Sequence, residues 1–376
     1  MKITIPSDVL NSVLKSPVKA SQANKTLQIL NHIYLSAKDD GATTIVGANP
    51  EYSVSVKVET NVEKSGEVLV LGDKFLQIVG ALPKSDVIIE FNDGLLDVYT
   101  SDGNIKFSLQ TLSVDEYPKQ IIEGVTVSPF CVLPQVDLKK GLRKISKFCS
   151  NDDSINPVFS GILFDWNADG SLKLVATDTK RMGIFKIGYS GNGVSERFVV
   201  PNGAASIVED ALKEGPVSIG ILKDEDGNIK NVMFNMDGIK VTSSVIAGNF
   251  PDYEKIIPKD ILNMASISTK SLKDALRRIS LIVDKETNRV SFEFDEVNLK
   301  LNVVNSLLGS GSEIIPCKFS GTPNSIHFNY EFIGDYLDVV DGEVFNWGFN
   351  DVEGANKFWS SEDENFLYIA MPLRRS

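Results

Sequence analysis

Side chains able to do chemistry are few and scattered in this chain. There are two histidines, His32 in the apolar run Leu30-Asn-His-Ile-Tyr34 and His327 in Ser325-Ile-His-Phe328, about 300 residues apart and sharing no carboxylate pattern. Both read as packing residues on strand faces. Three cysteines, Cys131, Cys149 and Cys317, are an odd number at wide spacing with no C-x-x-C. That pattern fits neither a disulfide framework nor a zinc knuckle and suits a reducing compartment. Neither a G-x-x-x-x-G-K-[ST] loop nor a G-x-G-x-x-G turn after a strand is present, so no nucleotide cofactor is implied. Asp224-Glu-Asp-Gly-Asn228 begins like a calcium loop but lacks the later ligand positions, and it reads as a hairpin turn. Cys149, Ser160 and Ser306 occupy no nucleophile elbow and have no evident base. Nothing in these patterns supports catalysis, a metal or a cofactor.

The elements around these residues are more informative. With 376 residues the chain is long enough for more than one core, at roughly 150 residues per domain. Its 42% hydrophobic and 23% charged residues match folded globular chains, not disordered or fibrous ones. The balance of 38 Lys and Arg against 50 Asp and Glu, net -12, argues against a surface that adheres everywhere to nucleic acid or membrane. It leaves room for a segregated basic face. Met1-Lys-Ile-Thr-Ile-Pro6 lacks the layout of a signal peptide, and no run approaches the ~20 apolar residues of a membrane span, so a cytoplasmic protein with no membrane partner is expected.

A repeat with a period of about 130 residues organises the chain. A first amphipathic helix is predicted at Ser7–Lys15, Asp137–Phe148 and Ser271–Ser280, each opening on Ser or Asp, residues that cap helix N-termini. A second is predicted about 60 residues later in every copy, at Asp73–Leu82, Asn202–Leu212 and Asn329–Val339. Alternating strands separated by Gly and Asp turns follow each helix, for example Val87–Phe91, Leu95–Tyr99 and Ile105–Leu109. One helix and several antiparallel strands therefore recur six times. The closing segments of the first two copies, Phe107–Pro118 and Ala247–Pro258, put boundaries near residues 125 and 258, giving units 1–125, 126–257 and 258–376.

The positive charge is concentrated on the first helices. In the second copy Leu138, Leu142 and Ile145 form the apolar stripe, while Lys139, Lys140, Arg143, Lys144 and Lys147 take the other faces against Asp137 alone. In the third, Lys270, Lys273, Arg277 and Arg278 oppose Asp274. The first copy carries Lys15 and Lys19, and its second helix Lys74. Equivalent helices of a repeat occupy equivalent places, so these side chains are expected to share one positive surface, with the acidic remainder facing elsewhere. Such a surface suits phosphate backbones without reading bases. Aromatic residues are not interleaved with the cations, which favours duplex DNA over single strands.

Four segments resemble a known family, the bacterial sliding clamp or beta subunit of DNA polymerase III, over essentially the whole chain: Lys106–Leu112 with Tyr117-Pro118, Leu174–Met182, Gly248–Tyr253 with Pro258, and Tyr368–Arg374. The resemblance implies an α+β fold of three similar clamp-type domains, each of two helix-plus-antiparallel-sheet halves, and a head-to-tail ring of two chains. About twelve helices spaced ~10 Å apart would line a hole ~28 Å wide, enough for duplex DNA and water. It implies no enzymatic activity of the chain itself. The implied role is a processivity factor that holds DNA by topology and tethers the replicative polymerase, the clamp loader and other proteins carrying clamp-binding peptides.

By the same resemblance, a peptide cleft would use Asn156, Phe159, Thr177, Lys180, Arg181, Met182, Pro251, Lys255, Ile256, Thr287, Asn329, Phe332, Trp347, Met371, Pro372 and Leu373. Met and aromatic walls suit the apolar anchors of an extended peptide. Ring closure would pair Phe107 and Leu109 with Leu281 and Ile282 of a second copy. Asp178-Thr-Lys-Arg-Met182 stands where the family usually reads Asp-Gly-His-Arg-Leu, giving a bulkier, more cationic rim, and Trp347 adds bulk where a small aliphatic residue is common. The early loop reads Asn24-Lys25-Thr26-Leu27 in place of Arg-Pro-Thr-Leu, and Asp152-Asp153 fall in a loop expected near DNA. A different class of function, a repeat-built scaffold that binds partner peptides without encircling DNA, stays open on the residues alone.

Overall fold

The computed structural model describes residues 1–22, 27–152, 154, 156–189, 195–305 and 307–374. Asn24, Lys25, Asp153 and Ser306 lie outside the described residues. The elements in chain order are β1 (Lys2–Pro6), α1 (Ser7–Ser21), β2 (His32–Ala37), β3 (Ala42–Ala48), β4 (Tyr52–Glu59), β5 (Asn61–Lys64), β6 (Gly66–Leu71), α2 (Gly72–Ala81), β7 (Asp86–Asn92), β8 (Leu95–Thr100), β9 (Lys106–Leu112), α3 (Lys119–Glu123), β10 (Ser128–Pro134), α4 (Gln135–Ile145), β11 (Gly161–Asn167), β12 (Ser171–Thr177) and β13 (Arg181–Gly188). They continue with β14 (Glu196–Pro201), α5 (Asn202–Ala211), β15 (Pro216–Lys223), β16 (Ile229–Met236), β17 (Ile239–Ser244), β18 (Asn263–Ser268), α6 (Thr269–Ile279), β19 (Arg289–Phe294), β20 (Asn298–Asn305), β21 (Gly309–Ser320), β22 (Ser325–Asn329), α7 (Tyr330–Val339), β23 (Val344–Phe349), β24 (Asn356–Trp359) and β25 (Phe366–Ala370).

The repeat is visible in how helices begin. Six of them (α1, α2, α4, α5, α6, α7) start at the residue after a strand ends, with no loop between. Pro6, Pro134 and Pro201 end three of those strands. A ring-locked φ near -65° is compatible with both the strand end and the helix start, and Pro6 and Pro201 hold φ -60° and -52°. Sequence periodicity located the six helices but not the short strand leading into each.

The chain folds as two compact units, Met1–Lys139 with Val200–Ile246, and Lys140–Val199 with Ala247–Ser376. Each has one sheet. In the first the strand order is β10-β15-β16-β17-β4-β3-β2-β6-β9-β8-β7-β1-β5; in the second it is β14-β11-β12-β13-β25-β24-β23-β18-β21-β20-β19-β22. The pairings that fuse strand groups from different copies are antiparallel: Val241 faces Val54 where β17 meets β4, and Met182 faces Ile369 where β13 meets β25. The middle third of the sequence thus contributes strands to both sheets.

In the first unit Leu10, Leu14 and Val18 of α1 and Phe75 and Val79 of α2 lie on the inward strand residues Ile3, Ile5, Leu35, Val68, Val70, Val87, Ile89, Leu96 and Val98. Each such burial contributes about 1.5–3 kcal/mol. Helix α1 runs to Ser21, through Pro17, where the sequence reading stopped it at Lys15. Packing supplies what propensity does not: a Cβ on Gly47 of β3 would lie 1.9 Å from the Pro17 carbonyl oxygen, so strand and helix touch backbone to backbone. The second unit is held by a chain of aromatic contacts, Phe148 to Tyr368 (4.9 Å), Tyr368 to Tyr336 (5.3 Å), Tyr336 to Phe358 (5.4 Å) and Phe358 to Trp347 (4.8 Å).

Two expectations need correction here. Trp347 is a core residue, 0% exposed, with its Nε1–H donating to Asn356 Oδ1 at 2.7 Å and its ring against Phe292 and Phe294. It pairs with Ala265 in the middle of the sheet, which turns its bulk inward and away from any cleft. Lys144 is not on an outward face either: it is 4% exposed, its ammonium bonded to the Asp363 carboxylate, to the Val339 carbonyl (2.6 Å) and to Asp341 (3.0 Å). On the helical wheel it borders the stripe beside Gly141, and a buried carboxylate lets the ammonium fold inward.

Cys149 and Cys317 are buried and Cys131 is part-buried. Burial pushes Cys149 up to about 12, Cys131 up to about 12 and Cys317 up to about 11, all far from the thiolate a nucleophile needs. Asp224–Asn228 is the β15–β16 turn, closed by Asp224 N–H to Asn228 O at 2.9 Å. Among the described residues no three His, Cys, Asp or Glu side chains are grouped to hold a metal, and no helix is long and apolar enough to cross a membrane.

Gly47→Ala should lower the urea midpoint by the equivalent of about 3 kcal/mol or more, since backbone must move on both sides. Lys144→Met should cost about 1.5–3 kcal/mol, because the buried Asp363 carboxylate loses its nearest cation and keeps only Lys140 at 3.7 Å and the Asp341 N–H at 3.2 Å; a loss under 1 kcal/mol in the same denaturation experiment would contradict the buried pair.

Candidate functional site

The second unit carries an apolar cavity of about 190 Å³ lined by Phe159, Thr177, Thr179, Lys180, Arg181, Met182, Phe250, Pro251, Tyr253, Ile256, Ile369 and Met371. Local structure explains each wall. Asn156 caps a short 3-10 turn, Pro157–Ser160, by accepting from Val158 N–H at 3.3 Å, and that turn presents Phe159. Phe250 meets Phe159 edge to face at 6.0 Å. Tyr253 is fixed by donating its hydroxyl to Asp165 at 2.6 Å, and burial together with that carboxylate raises its pKa.

The rim is the β12–β13 hairpin. Asp178 Oδ1 accepts the backbone N–H groups of Lys180 and Arg181, both at 3.0 Å, while Oδ2 takes Arg181 Nε at 2.9 Å. The rest of the Arg181 guanidinium reaches Asp335 of α7 and lies over the Phe332 ring at 4.7 Å. Arg181 is thereby a fixed wall, not a mobile cation. Lys180 has no carboxylate partner among the described residues, so the charge available at the mouth is its ammonium. On the other side β25 pairs with β13, and Met371 N–H donates to Lys180 O at 2.8 Å, bringing Met371 beside Met182 and Ile369. Apolar walls with two adaptable thioethers and one free cation at the mouth can hold an apolar side chain of an extended peptide.

Of the residues expected in a cleft, Phe159, Thr177, Lys180, Arg181, Met182, Pro251, Ile256 and Met371 line this cavity. The others do other work. Asn329 caps α7 by accepting from Glu331 N–H at 2.9 Å, Lys255 pairs with Asp252 at 2.9 Å, and Thr287 is exposed in a turn after α6. Pro372 and Leu373 belong to the tail after β25, where Leu373 N–H bonds to His327 O at 2.7 Å. Thr179, Phe250, Tyr253 and Ile369 were not singled out by the sequence. The signal for Phe250 and Tyr253 was present in Gly248–Tyr253, but nothing in the one-dimensional pattern says that Thr179 faces a cavity.

The cationic side chains are placed unit by unit. In the first, Lys15 and Lys74 are exposed, Lys139 donates to the Leu212 carbonyl at 2.7 Å, and Lys19 pairs with Asp210 of α5 at 2.6 Å. In the second, Lys140 pairs with Asp341 (2.8 Å), Lys147 and Lys273 share Asp338 (3.0 and 2.8 Å), and Arg278 pairs with Glu313. The Lys273 and Lys147 bonds hold the Asp338 carboxyl below its ordinary range. The acidic residues therefore do not all face elsewhere, as the sequence had suggested; several interleave with the lysines. Arg143 and Arg277 are exposed and have no carboxylate partner among the described residues. Exposed pairs of this kind contribute about 0–1 kcal/mol, so they are readily exchanged for a phosphate. Phe107 of β9 is 42% exposed and Leu281, just after α6, 78%, whereas Leu109 packs partly into the first unit's core and Ile282 is half-buried.

Models of the DNA polymerase III beta subunit match the chain in succession: the N-terminal domain over residues 1–121, the central domain over 132–252 and the C-terminal domain over 254–374. A beta sliding clamp homolog from Streptomyces muensis, GriR, is 27% identical over 384 residues, covering 100% of this chain and 99% of its own. The beta sliding clamps of Treponema pallidum and Bacillus subtilis are each 25% identical with full coverage of both chains. Among solved structures, the Bacillus subtilis DNA polymerase sliding clamp superposes with a TM-score of 0.90 at 23% identity, and a Pseudomonas aeruginosa clamp bound to griselimycin with 0.91 at 21%, each covering 100% of both chains. At such identities these superpositions establish the fold. The three domain models together span nearly the whole sequence in order, and the chain belongs to the DNA polymerase III beta subunit family.

Proposed function

We propose that this protein is a sliding clamp of DNA replication, a processivity factor with no catalytic role of its own. The observation that carries the reading is the ordered match of all three beta-subunit domains along one chain. In this reading domains 1–125, 126–257 and 258–376 form half of a ring, a second copy closes it through Phe107 and Leu109 against Leu281 and Ile282, and duplex DNA passes through without base recognition. Processivity then follows from tethering, since a ring-held polymerase meets its template at high effective concentration. The cavity beside Met182 and Met371 supports a peptide site for the replicative polymerase, the clamp loader and similar partners. In this reading the protein works in the cytoplasm.

One observation favours the alternative of a peptide-binding scaffold that does not encircle DNA: Lys19, Lys140, Lys147, Lys273 and Arg278 are all engaged by carboxylates. Loading onto nicked circular DNA separates the two readings. Retention on the circle and loss on linearising it are expected of a ring; equal retention on both forms, or none, supports the scaffold. Reversal of the unpaired cations, Arg143→Glu with Arg277→Glu, should shorten retention by about tenfold and flatten its dependence on salt, each lost phosphate contact removing roughly 0.9 from the log–log slope. Removal of Met371–Ser376 deletes one cavity wall; it should abolish stimulation of the polymerase while leaving retention on circular DNA intact, and unimpaired stimulation would place the peptide site elsewhere.

A further inference from the structure

The β12–β13 turn contains an anomaly that neither the fold nor the proposed function requires. Thr179, a β-branched residue, holds φ at +75°. Two-residue hairpin loops ordinarily place glycine, asparagine or aspartate at such a position, and a branched side chain there is strained. The surroundings over-determine the strained turn. Thr177 Oγ1 accepts the Thr179 N–H at 3.1 Å while donating to the Arg181 carbonyl at 2.7 Å, and the Asp178 carboxylate holds the following two N–H groups. Strain maintained in this way marks a position where a particular side chain is useful. Here that side chain lines the apolar cavity.

We propose that Thr179 is a specificity-determining residue that sets the largest anchor the cleft accepts, a phenyl or isobutyl group and not an indole; this rests on the peptide-cleft reading above. The size argument is direct. A dry apolar cavity of about 150 Å³ takes up benzene, and this one measures about 190 Å³ with Thr179 in its wall. A benzene-sized ring fits within that volume, and in this proposal a bicyclic indole would meet the Thr179 side chain at the wall. Glycine would give up that side chain and relax the backbone together, so one substitution should widen the cavity and stabilise the turn.

The test uses the full chain and its Thr179→Gly variant, each panned against a phage-displayed library of random dodecapeptides. Clones that still bind a Met182→Glu variant are discarded as off-site. Apolar pockets discriminate by size by roughly 10–200-fold. The parent protein should therefore enrich phenylalanine or leucine over tryptophan at the anchor by about tenfold or more, and Thr179→Gly should bring tryptophan to near parity while raising the urea midpoint. The same anchor preference in both proteins, or a lower midpoint in the variant, overturns the assignment and leaves the cleft standing. Failure of both proteins to select any Met182-dependent peptide removes the cleft reading and this inference with it.

Discussion

The architecture depends on one constraint: a helix with a narrow apolar stripe is stable here only while that stripe lies on a sheet. Leu10, Leu14 and Val18 on α1 illustrate it, each essentially fully buried while Lys15 and Lys19 on the same helix remain exposed. Because every principal helix springs directly from a strand, its orientation is set by the strand's end and not by a loop. The same stripe that drives folding therefore decides which charges are left outside. Where the exposed cations stand follows from which helix faces the sheets have no room to cover.

That constraint explains what was legible beforehand. Six helices, the antiparallel strands behind them and the threefold period are written in alternation and 3.6-residue spacing, because burial on one face imposes exactly such patterns on a sequence. What escaped depends on residues distant in the chain. Lys144 reads as outward until Asp363, far away in sequence, is brought alongside it. Trp347 reads as a cleft residue until its strand is seen flanked by β18 and β24. The continuation of α1 through Pro17 shows only once Gly47 of β3 is seen to leave room for that turn. Thr179 is the extreme case: composition gives no hint of a left-handed threonine, since only the closed hairpin forces it.

The cleft and the cationic helices are physically connected within the second unit. Asp335 accepts Arg181 from the rim and lies 3.8 Å from Lys147, which in turn shares Asp338 with Lys273 of α6. The carboxylates of α7 thus hold one wall of the cavity with one end and restrain exposed lysines with the other. Exposed pairs of this type are weak individually, but the shared acceptors order several long side chains at once. The acidity of the chain is in this respect structural, because it sets how many cations are free.

The sheathed thiols bear on how this molecule can be interrogated. With the sulfhydryls of Cys131, Cys149 and Cys317 at about 11 to 12, the reactive anion at neutral pH is roughly one part in 10⁴ to 10⁵. Maleimide dyes and spin labels would reach the buried sulfur atoms of Cys149 and Cys317 least, while the part-buried Cys131 is the native thiol most open to them. A single engineered cysteine at an exposed position then needs only Cys131 replaced to become a unique attachment point, with Cys149 and Cys317 left in place.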